Sequence, residues 1–355
     1  MTHILILKTA ALGDVLRTTS ILPGLHERYT DAWISWVTAR DAVDLLRTHP
    51  LIRSVVAVDT ESDSSVADAL TPLSATCWER VISLDDEAHI ARIATTVPSK
   101  RLSGAYVRDD GTLAYTPDTA PWFDMGLLSV HGKTVADLMK IQNRKSHPQI
   151  CADMLGLRMG KPELHLPADS KSFADTLAKR HGLAARRPLV GLNTGAGGRW
   201  TSKQLDVERT VAVAARVHAA RSGKVSFLVL GGPLEGERNR EIMAGLERAG
   251  VAGFDGGTDN ALLDFAALVG ACDVLLASDS LALHLAVAQS VRVVAFFAPT
   301  SAAEIELYGR GEKVVSTSPD VCSYRRDADN STLTPERIAA ALLREIAAAE
   351  RERGA

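Results

Sequence analysis

The chain has 355 residues, of which 46% are apolar, and its 40 basic and 43 acidic side chains give a formal net charge of −3. This length exceeds one ordinary hydrophobic core and indicates two domains of about 150 residues each. The slightly acidic balance disfavours a nucleic-acid-binding protein held by phosphate contacts, because such proteins normally present a basic face.

Cysteine spacing and the lengths of apolar runs indicate the cellular compartment of the protein. The four cysteines, which form no Cys-x-x-Cys pair, are Cys77, Cys151, Cys272 and Cys322. This spacing predicts reduced, mostly buried thiols rather than a disulfide framework or a zinc site. The N-terminal apolar run is too short for a signal peptide, and no stretch approaches the ~20 apolar residues of a membrane span. We therefore expect a cytoplasmic protein without a transmembrane segment.

The first half of the chain alternates short aliphatic runs with amphipathic segments, which is typical of parallel β-α-β units. Strands are predicted over 3–8, 32–38, 54–58 and 80–84, with helices over 14–29 and 39–49. Residues 100–135 are weakly periodic and rich in Gly, Asp and Tyr. They predict a loop-dominated insertion, a kind of segment that often carries binding groups.

A break at 160–171 with two prolines precedes a second α/β series. Strands are predicted over 188–194, 225–232, 273–280 and 291–300. A final Ala-rich helix is predicted to begin with Pro335 in its first turn. Two doubly wound halves place any cleft at the carboxyl ends of both sheets. Neither half has the glycine fingerprint of a dinucleotide site or a P-loop, which disfavours a nicotinamide-dependent or ATP-hydrolysing enzyme.

The motif "ALGDVLRTT" follows the first predicted strand almost directly. Asp14, near the start of a helix, fits a capping or first-turn residue favoured by the helix dipole. It also fits a general base that accepts a proton from an incoming hydroxyl. Spacing alone favours the cap and leaves both interpretations open.

The segment "GLNTGAGGRWTSKQL" ends a strand at Asn193 and Thr194 and opens into a glycine-rich loop. Backbone amides, the Thr194 hydroxyl and the cations of Arg199 and Lys203 can converge there on one anion. A flexible surface loop with solvated cations is the alternative. Glycine is costly in such a loop unless the backbone must approach something closely.

The segment "ASDSLALHLAVA" places Asp279 and Ser280 at a strand end, before a helix whose free N–H groups form an anion site. His284 lies early on this helix. A direct ligand role and a partly buried histidine bonded to a neighbouring carbonyl are equally consistent with that position.

The segment "LGGPLEGERNREI" ends a strand at Gly231 and Gly232, which leave room for a flat group. Glu235 or Glu237 could accept hydrogen bonds from ribose hydroxyls. The acidic first turn of a helix would look the same, so this segment by itself indicates little.

The ordered set of these segments resembles glycosyltransferase family 9, the ADP-heptose heptosyltransferases. "LGDVLRTTSILPGL" is similar to the family's GDV turn, "NTGAGGRWTSKQL" to its Gly-rich loop, and "SDSLALHLAVA" to its late D-S/T-x-x-x-H-x-x-A motif. The three occur in the family's order and at similar separations, and the likeness runs from residue 3 to about residue 315.

The resemblance implies an α/β GT-B fold in which two Rossmann-like domains face each other across a cleft. Residues 1–170 would bind the acceptor and residues 171–334 the nucleotide sugar. A C-terminal helix over 335–355 would cross back to the first domain.

The resemblance also implies roles for individual residues. Asp14 matches the family's presumed base, with Gly13 and Arg17 on the acceptor side. The donor diphosphate would contact Thr194, Arg199, Lys203, Ser280, Leu281 and Ala282. The donor sugar and nucleotide would contact Asn193, Gly231, Gly232, Glu235, Asp279 and His284.

Two departures from the family pattern concern donor binding rather than the type of reaction. Lys203 is followed by Gln-Leu-Asp where the family usually has Arg-Trp-Pro, and Trp200 precedes the lysine instead. Leu281 stands where many relatives carry Gly.

The function implied by the resemblance is inverting transfer of a heptose or related sugar from an ADP-sugar to an acceptor hydroxyl. Fixed cations and amides would stabilise the leaving diphosphate. We therefore expect no metal and no cofactor, with the ADP-sugar as co-substrate of a monomeric enzyme. A nucleotide-sugar hydrolase or epimerase, and a non-catalytic sugar-nucleotide-binding protein, are the alternatives.

The acceptor is either of the lipopolysaccharide core type or a soluble, aminoglycoside-like intermediate of antibiotic biosynthesis. The sequence shows no basic amphipathic helix for anionic lipid, so we expect at most peripheral contact with a membrane.

Overall fold

The structure is a computed structural model and describes residues 1–197 and 200–354. The chain divides into two compact units, Met1–His165 and Leu166–Ala355. The boundary predicted after residue 170 therefore lies inside the first helix of the second unit, which spans Ala168–His181.

The first unit is built on a sheet in the order β3-β2-β1-β4-β5-β6, counting the strands found in residues 1–165. These strands are β1 Thr2–Leu7, β2 Ala32–Ala39, β3 Ser54–Val58, β4 Arg80–Ser83, β5 Leu102–Val107 and β6 Leu113–Tyr115. Pairing is parallel except between β5 and β6. Ile4 to Leu7 of β1 are fully buried, as expected for a central parallel strand covered on both faces.

Helices connect these strands. They are α1 Leu12–Thr18, α2 Leu22–Arg28, α3 Val43–Leu46, α4 Asp63–Ser74, α5 Ala88–Thr96, α6 Ala120–Phe123, α7 Lys133–Gln142 and α8 His147–Leu155. The single helix predicted over 14–29 is thus two helices, joined by a 3₁₀ turn at Thr19–Ile21.

The insertion predicted over 100–135 is more regular than expected. It contains β5, β6 and α6, and β5 is part of the main sheet. Gly104 shows why the sequence pattern is weak here. Its φ is +120°, and a Cβ at this position would lie 1.8 Å from the carbonyl oxygen of Ser83 on β4. A glycine therefore replaces an apolar residue in the middle of a strand.

The second unit repeats the architecture with the strand order β12-β11-β10-β7-β8-β9 in its described part, 166–197 and 200–354. All the pairings are parallel. The strands are β7 Leu189–Asn193, β8 Ser226–Val229, β9 Gly253–Asp255, β10 Val274–Ser278, β11 Arg292–Phe297 and β12 Gly311–Val315. The helices are α9 Ala168–His181, α10 Val207–Ala220, α11 Gly236–Arg248, α12 Leu262–Gly270, α13 Leu281–Ala288 and α14 Pro335–Gly354.

The C-terminal helix α14 begins at Pro335, as predicted, and belongs to the second unit. Ile338, Leu342 and Ile346 recur every four residues along one face and are fully buried in that unit's core, beside residues of α10 and the sheet. The apolar face of the helix is therefore covered within its own unit, and the predicted crossing to the first domain stays a prediction.

In the described parts of the chain, no helix is both long enough and apolar enough to cross a bilayer. None of the four cysteines is in a disulfide bond in the part of the chain that the structure describes. Cys151 and Cys272 are buried, which raises the pKa of each thiol to about 12, whereas Cys77 is exposed.

Candidate active site

Asp14 lies in the first turn of α1, directly beyond the carboxyl end of β1. The N-cap of this helix is Ala11, and no side chain caps it, so Asp14 is not the capping residue. Its carboxylate Oδ1 lies 3.0 Å from Arg17 Nε, and its side chain is 38% exposed. Gly13 beside it is buried. The carboxylate is therefore oriented by a cation and open to solvent.

A buried ion pair lies behind this turn. Lys8 Nζ donates to Asp85 Oδ1 at 2.6 Å, and Thr9 donates to Asp85 Oδ2 from both its amide, at 2.6 Å, and its hydroxyl, at 2.8 Å. Burial acts to lower the pKa of Lys8, but the charges of Asp85 and Asp14 outweigh it and raise that pKa overall. Lys8, after β1, and Asp85, after β4, thus place a lysine ammonium close enough to Asp14 for the two charges to attract each other.

Arg17, which was predicted on the acceptor side, also packs against an aromatic ring. Its guanidinium carbon lies 5.5 Å from the centre of the Trp122 ring, a cation–π distance. Trp122 in turn meets the His147 ring edge-to-face at 4.8 Å between centroids. The side chain of Arg17 is only 12% exposed, so it fixes Asp14 more than it offers a free cation to a ligand.

The second unit gathers several predicted donor residues at the carboxyl ends of β7 and β10. Lys203 Nζ donates to the main-chain oxygen of Asp279 at 3.0 Å and to its Oδ2 at 3.1 Å. His284 Nε2 lies 3.8 Å from the other oxygen, Oδ1. Lys203 and Asp279 are each 21% exposed, and His284 is 10% exposed. These three side chains form one partly buried charged cluster, which we call the Lys203 cluster.

Ser280 is the N-cap of α13, and its hydroxyl donates to Ser278 O at 3.3 Å instead of capping the helix. The amides of Leu281 and Ala282 lie in the first turn, where helix geometry provides no acceptor for them. The positive end of this helix therefore adjoins the Lys203 cluster, and the anion site predicted there stays a prediction.

Trp200, which departs from the family pattern, packs against the same lysine. Lys203 Nζ lies 5.6 Å from the centre of the Trp200 ring, and Tyr324 meets this ring edge-on at 6.1 Å. The predicted contact of Arg199 falls outside the described residues.

Asn193 and Thr194 are both buried, and their predicted contacts with the donor stay predictions. Asn193 is 7% exposed and Thr194 is 1% exposed. The Thr194 hydroxyl lies 3.0 Å from that of Thr210 and accepts from Arg238 Nη2 at 2.7 Å. Burial lowers the pKa of Arg238. Sequence reasoning missed Arg238, because it lies 44 positions after Thr194 and only the fold brings the two side chains together.

Glu235 joins two loops through backbone amides. Its Oε1 accepts from Gly197 N and its Oε2 from Gly232 N, each at 2.7 Å, and the residue is 7% exposed. The space expected at Gly231 is also occupied from within, because a Cβ there would meet Asn239 Nδ2 at 2.7 Å. Glu235 therefore links the loops at Gly197 and Gly232, and the predicted contacts of Glu235, Gly231 and Gly232 with the donor stay predictions.

A cavity of about 400 Å³ adjoins these loops beyond β8 and β9. Its lining includes Asn239, Arg240, Asp255 and Thr258. Asn239 is 3% exposed, and neither atom of its side-chain amide has a hydrogen-bond partner among the described residues. A buried amide in that state costs stability unless a ligand satisfies it.

One cluster in the first unit was not predicted. His49, Glu163 and His165 bring three potential metal-ligand atoms within 4.8 Å of one another. Leu51 N donates to His49 Nδ1 at 3.2 Å, however. A metal bound to Nε2 would require a proton on Nδ1 and would lose this bond.

The carboxyl edge of this parallel sheet carries a lysine, an aspartate and an uncapped helix start, an arrangement that is typical of phosphate sites in α/β proteins. The family model for glycosyltransferase family 9 (heptosyltransferase) matches residues 143–333. The chain belongs to glycosyltransferase family 9, and it is a heptosyltransferase-like enzyme.

Solved structures show the same fold over nearly the whole chain. The glycosyl transferase family 9 protein from Veillonella parvula is 18% identical, with a TM-score of 0.78 and 97% of each chain covered. The E. coli ADP-heptose lps heptosyltransferase II is 16% identical, with a TM-score of 0.66, and the match covers 99% of this chain and 100% of that one.

E. coli heptosyltransferase WaaC with ADP-2-deoxy-2-fluoro heptose is also 16% identical, with a TM-score of 0.59 and coverage of 95% and 98%. A comparison with the sequences of curated proteins gives no match. The predicted GT-B class, with two Rossmann-like units, is confirmed. The predicted cleft between them stays a prediction.

Proposed function

We propose that the protein transfers a heptose from ADP-heptose to a hydroxyl of a sugar-containing acceptor, with inversion at the anomeric carbon. The observation that carries this proposal is the Lys203 cluster at the first turn of α13. An ammonium and free helix amides at one sheet edge are suited to a diphosphate, whose negative charge grows as the sugar leaves.

The same geometry supports the proposed mode of donor binding. Lys203 is positioned by Asp279 and Trp200, so it can turn one N–H towards a diphosphate oxygen without a large loss of side-chain freedom. The amides of Leu281 and Ala282 would hold further oxygens. These fixed donors provide the charge stabilisation that a divalent metal supplies in other transferases, so we propose transfer without a metal.

The nucleoside is proposed to enter the cavity beside Asn239. An amide offers one donor and one acceptor side by side, and this pair matches the edge of adenine. The proposal would satisfy the two unpartnered amide atoms. Heptosyltransferases of the same fold have been solved with ADP and with an ADP-heptose analogue, which supports ADP-heptose as the donor here.

Asp14 is proposed as the general base. As the acceptor oxygen attacks the anomeric carbon, the bond from that carbon to the diphosphate breaks and ADP leaves from the opposite face. The acceptor proton passes to the Asp14 carboxylate. Arg17 orients this carboxylate, and its 38% exposure leaves an oxygen accessible to a hydroxyl. The acceptor is proposed to be a lipopolysaccharide core sugar or a soluble, aminoglycoside-like intermediate.

A thermal-shift panel of nucleotide sugars tests the donor, because a ligand that binds only the folded protein raises its melting temperature. ADP-heptose should stabilise the protein more than the UDP-sugars and GDP-sugars do. Equal shifts for all three classes would contradict the assignment of the donor.

Product analysis separates transfer from its alternatives. With ADP-heptose and an acceptor, NMR of the product should show an anomeric configuration opposite to that of the donor. Free heptose formed equally fast with and without acceptor would instead indicate a hydrolase, and an isomerised nucleotide sugar would indicate an epimerase.

A further inference from the structure

The loop between β12 and α14 contacts the short turn that carries Lys203. Ser202 donates to Arg326 O from its amide, at 3.3 Å, and to Arg325 O from its hydroxyl, at 3.1 Å. The hydroxyl of Thr201 also donates to Arg326 O, at 3.2 Å. The turn is therefore attached to a loop segment that follows it by 123 residues in the sequence.

Tyr324 lies in this loop and has an unusual backbone conformation. Its φ is +56°, in the left-handed region that residues with a side chain seldom adopt. Its amide donates to Pro299 O at 2.8 Å, and the amide of Cys322 donates to Ala298 O at the same distance. These bonds attach the loop to the segment that directly follows β11. Strained conformations of this kind concentrate at functional sites, where the surrounding structure holds a side chain in one position.

The hydroxyl of Tyr324 is held by two hydrogen bonds. It donates to Glu304 Oε1 at 3.2 Å and accepts from Ser301 N at 3.3 Å. Burial, and then the charge of Glu304, raise the pKa of Tyr324. The hydroxyl therefore stays protonated at neutral pH and keeps its bond to Glu304. The charge of Asp279 raises the same pKa, so this carboxylate of the Lys203 cluster lies within electrostatic range of Tyr324.

The ring of Tyr324 completes a row of contacts that ends at the lysine. It meets the Trp200 ring edge-on, with 6.1 Å between centroids, and the centre of the Trp200 ring lies 5.6 Å from Lys203 Nζ. Edge-on aromatic pairs are attractive because the positive edge of one ring meets the negative face of the other. The negative face of a tryptophan ring also attracts an ammonium. Tyr324 therefore restricts the orientations in which Trp200 can contact Lys203.

We propose that Tyr324 is a positioning residue of the donor site, whose ring holds Trp200 in the orientation that directs the Lys203 ammonium at the donor diphosphate. Tyr324 acts through Trp200 and does not itself contact the donor. Without the Tyr324 ring, Trp200 gains rotamer freedom, and the ordering of Trp200 and Lys203 is added to the free-energy cost of binding ADP. This inference rests on the proposed function, because it requires that Lys203 binds a diphosphate.

Titration calorimetry of the full chain with ADP tests the proposal. Tyr324→Ala should weaken ADP binding about three- to tenfold, the range expected when one aromatic contact is lost. Tyr324→Leu, which fills much of the same volume without an aromatic edge, should lose affinity by a similar factor and serves as a second variant. Wild-type ADP affinity in these two variants would overturn the inference alone. A wild-type protein that does not bind ADP would instead contradict the proposed function and remove the basis of the inference.

Rescue by phenylalanine separates positioning from a role in folding. Tyr324→Phe keeps the ring and should bind ADP within about twofold of the wild type. It should nevertheless unfold at a lower temperature, because Glu304 and Ser301 lose their hydrogen-bond partner. A Tyr324→Phe protein that loses as much ADP affinity as Tyr324→Ala would show that the ring contact is not what matters, and would overturn the proposal.

A double-mutant cycle shows whether Tyr324 acts through Trp200. Trp200→Ala should weaken ADP binding by a factor similar to that of Tyr324→Ala. Adding Tyr324→Ala to Trp200→Ala should cause no further loss, because the ring that Tyr324 positions is already absent. Losses that multiply in the double variant would mean that Tyr324 acts by another route, and would overturn the proposal.

Tyr308→Ala is the matched control. Tyr308 is also a tyrosine in the left-handed region, with a φ of +52°. It precedes β12, whose Gly311 pairs with Val293 near the start of β11, so Tyr308 lies at the amino edge of the sheet, away from Lys203. Tyr308→Ala should bind ADP like the wild type, and melting curves by circular dichroism check that each variant is folded. A loss of affinity equal to that of Tyr324→Ala would assign the effect to general loosening of the unit and overturn the proposal.

Discussion

Lys203 donates to both the main-chain oxygen and the carboxylate of Asp279, which is 76 residues away in sequence. Two segments that meet at the carboxyl edge of the second sheet thus hold one ammonium in place. Its partial exposure, 21%, keeps it available to an anion.

Lys203→Ala should weaken ADP binding at least tenfold, because a charge-assisted hydrogen bond to phosphate contributes about 1.5–3 kcal/mol. Titration calorimetry measures this directly. Lys179→Ala, which removes an exposed cation from α9 of the same unit, is the control and should bind ADP like the wild type. Wild-type affinity in Lys203→Ala would show that the diphosphate lies elsewhere.

Asp14→Asn should lower kcat by about 10²–10⁴-fold, the contribution of a general base, and leave ADP affinity unchanged. Asp44 is a matched control, since it forms the same ion pair three residues along with Arg47, also at 3.0 Å. Asp44→Asn should transfer at the wild-type rate. A fully active Asp14→Asn protein would remove Asp14 from the mechanism.

Asp85→Asn should destabilise the first unit by about 3 kcal/mol, because it leaves the buried ammonium of Lys8 without its counter-charge. Urea unfolding measures the loss. Glu79→Gln, which breaks the exposed pair with Lys100, should leave the free energy of unfolding nearly unchanged.

The ion pair between Lys8 and Asp85 also implies that the stability of the first unit falls at alkaline pH. The pKa of Lys8 is raised in the fold, so its stabilisation is complete below the unfolded value near 10.5 and is lost as pH rises through the folded value. Asp85→Asn should have a weaker alkaline dependence than the wild type. Parallel curves would contradict this prediction.

Glu235→Gln should lower the free energy of unfolding by about 1–3 kcal/mol, because the new NH₂ group would face one of the two backbone amides that Glu235 now accepts from. The exposed Glu237, two residues further along, is the control, and Glu237→Gln should unfold like the wild type. A thermal unfolding temperature unaffected in both variants would show that the bridge between the loops contributes nothing.

His49 should make the protein sensitive to acid. Burial, and then the charge of His165, lower its pKa from 6.5 to about 4, while Glu163 opposes them. The folded state therefore favours neutral His49, and stability is lost as pH falls from 6.5 towards 4, by up to about 3 kcal/mol. His49→Gln should have a shallower pH dependence over this window in urea titrations. The same slope in both proteins would place the acid sensitivity elsewhere.

The central strands were predictable because each is a continuous aliphatic run. β3 matches its predicted range. The ends of the other predicted strands differ from the predicted ones by at most three residues; these strands are β1, β2, β4, β7, β8, β10 and β11. The strands β5, β6, β9 and β12 were missed. Segments such as "GFD" and "GEKVV" carry little apolar signal, and they are strands because a neighbouring edge pairs with them.

Among the site residues, sequence order was enough to associate Lys203 with Asp279, Ser280 and His284, because the resemblance aligned all these positions with known motifs. It was not enough to separate a side chain that faces the ligand from one that supports the loop. Thr194 and Glu235 have the right chemistry for donor binding, yet their oxygens accept hydrogen bonds from Arg238 and from backbone amides.

By itself, the sequence determined the class of fold, the order of the elements and the family, because apolar periodicity and short motifs are local properties of the chain. Only the tertiary structure decided that Lys8 and Asp85 form a largely buried ion pair, that α14 packs in the second unit, and that α7 turns its apolar face outward. Each of these depends on which distant segments exclude water from one another, and that is set by the packing of whole elements.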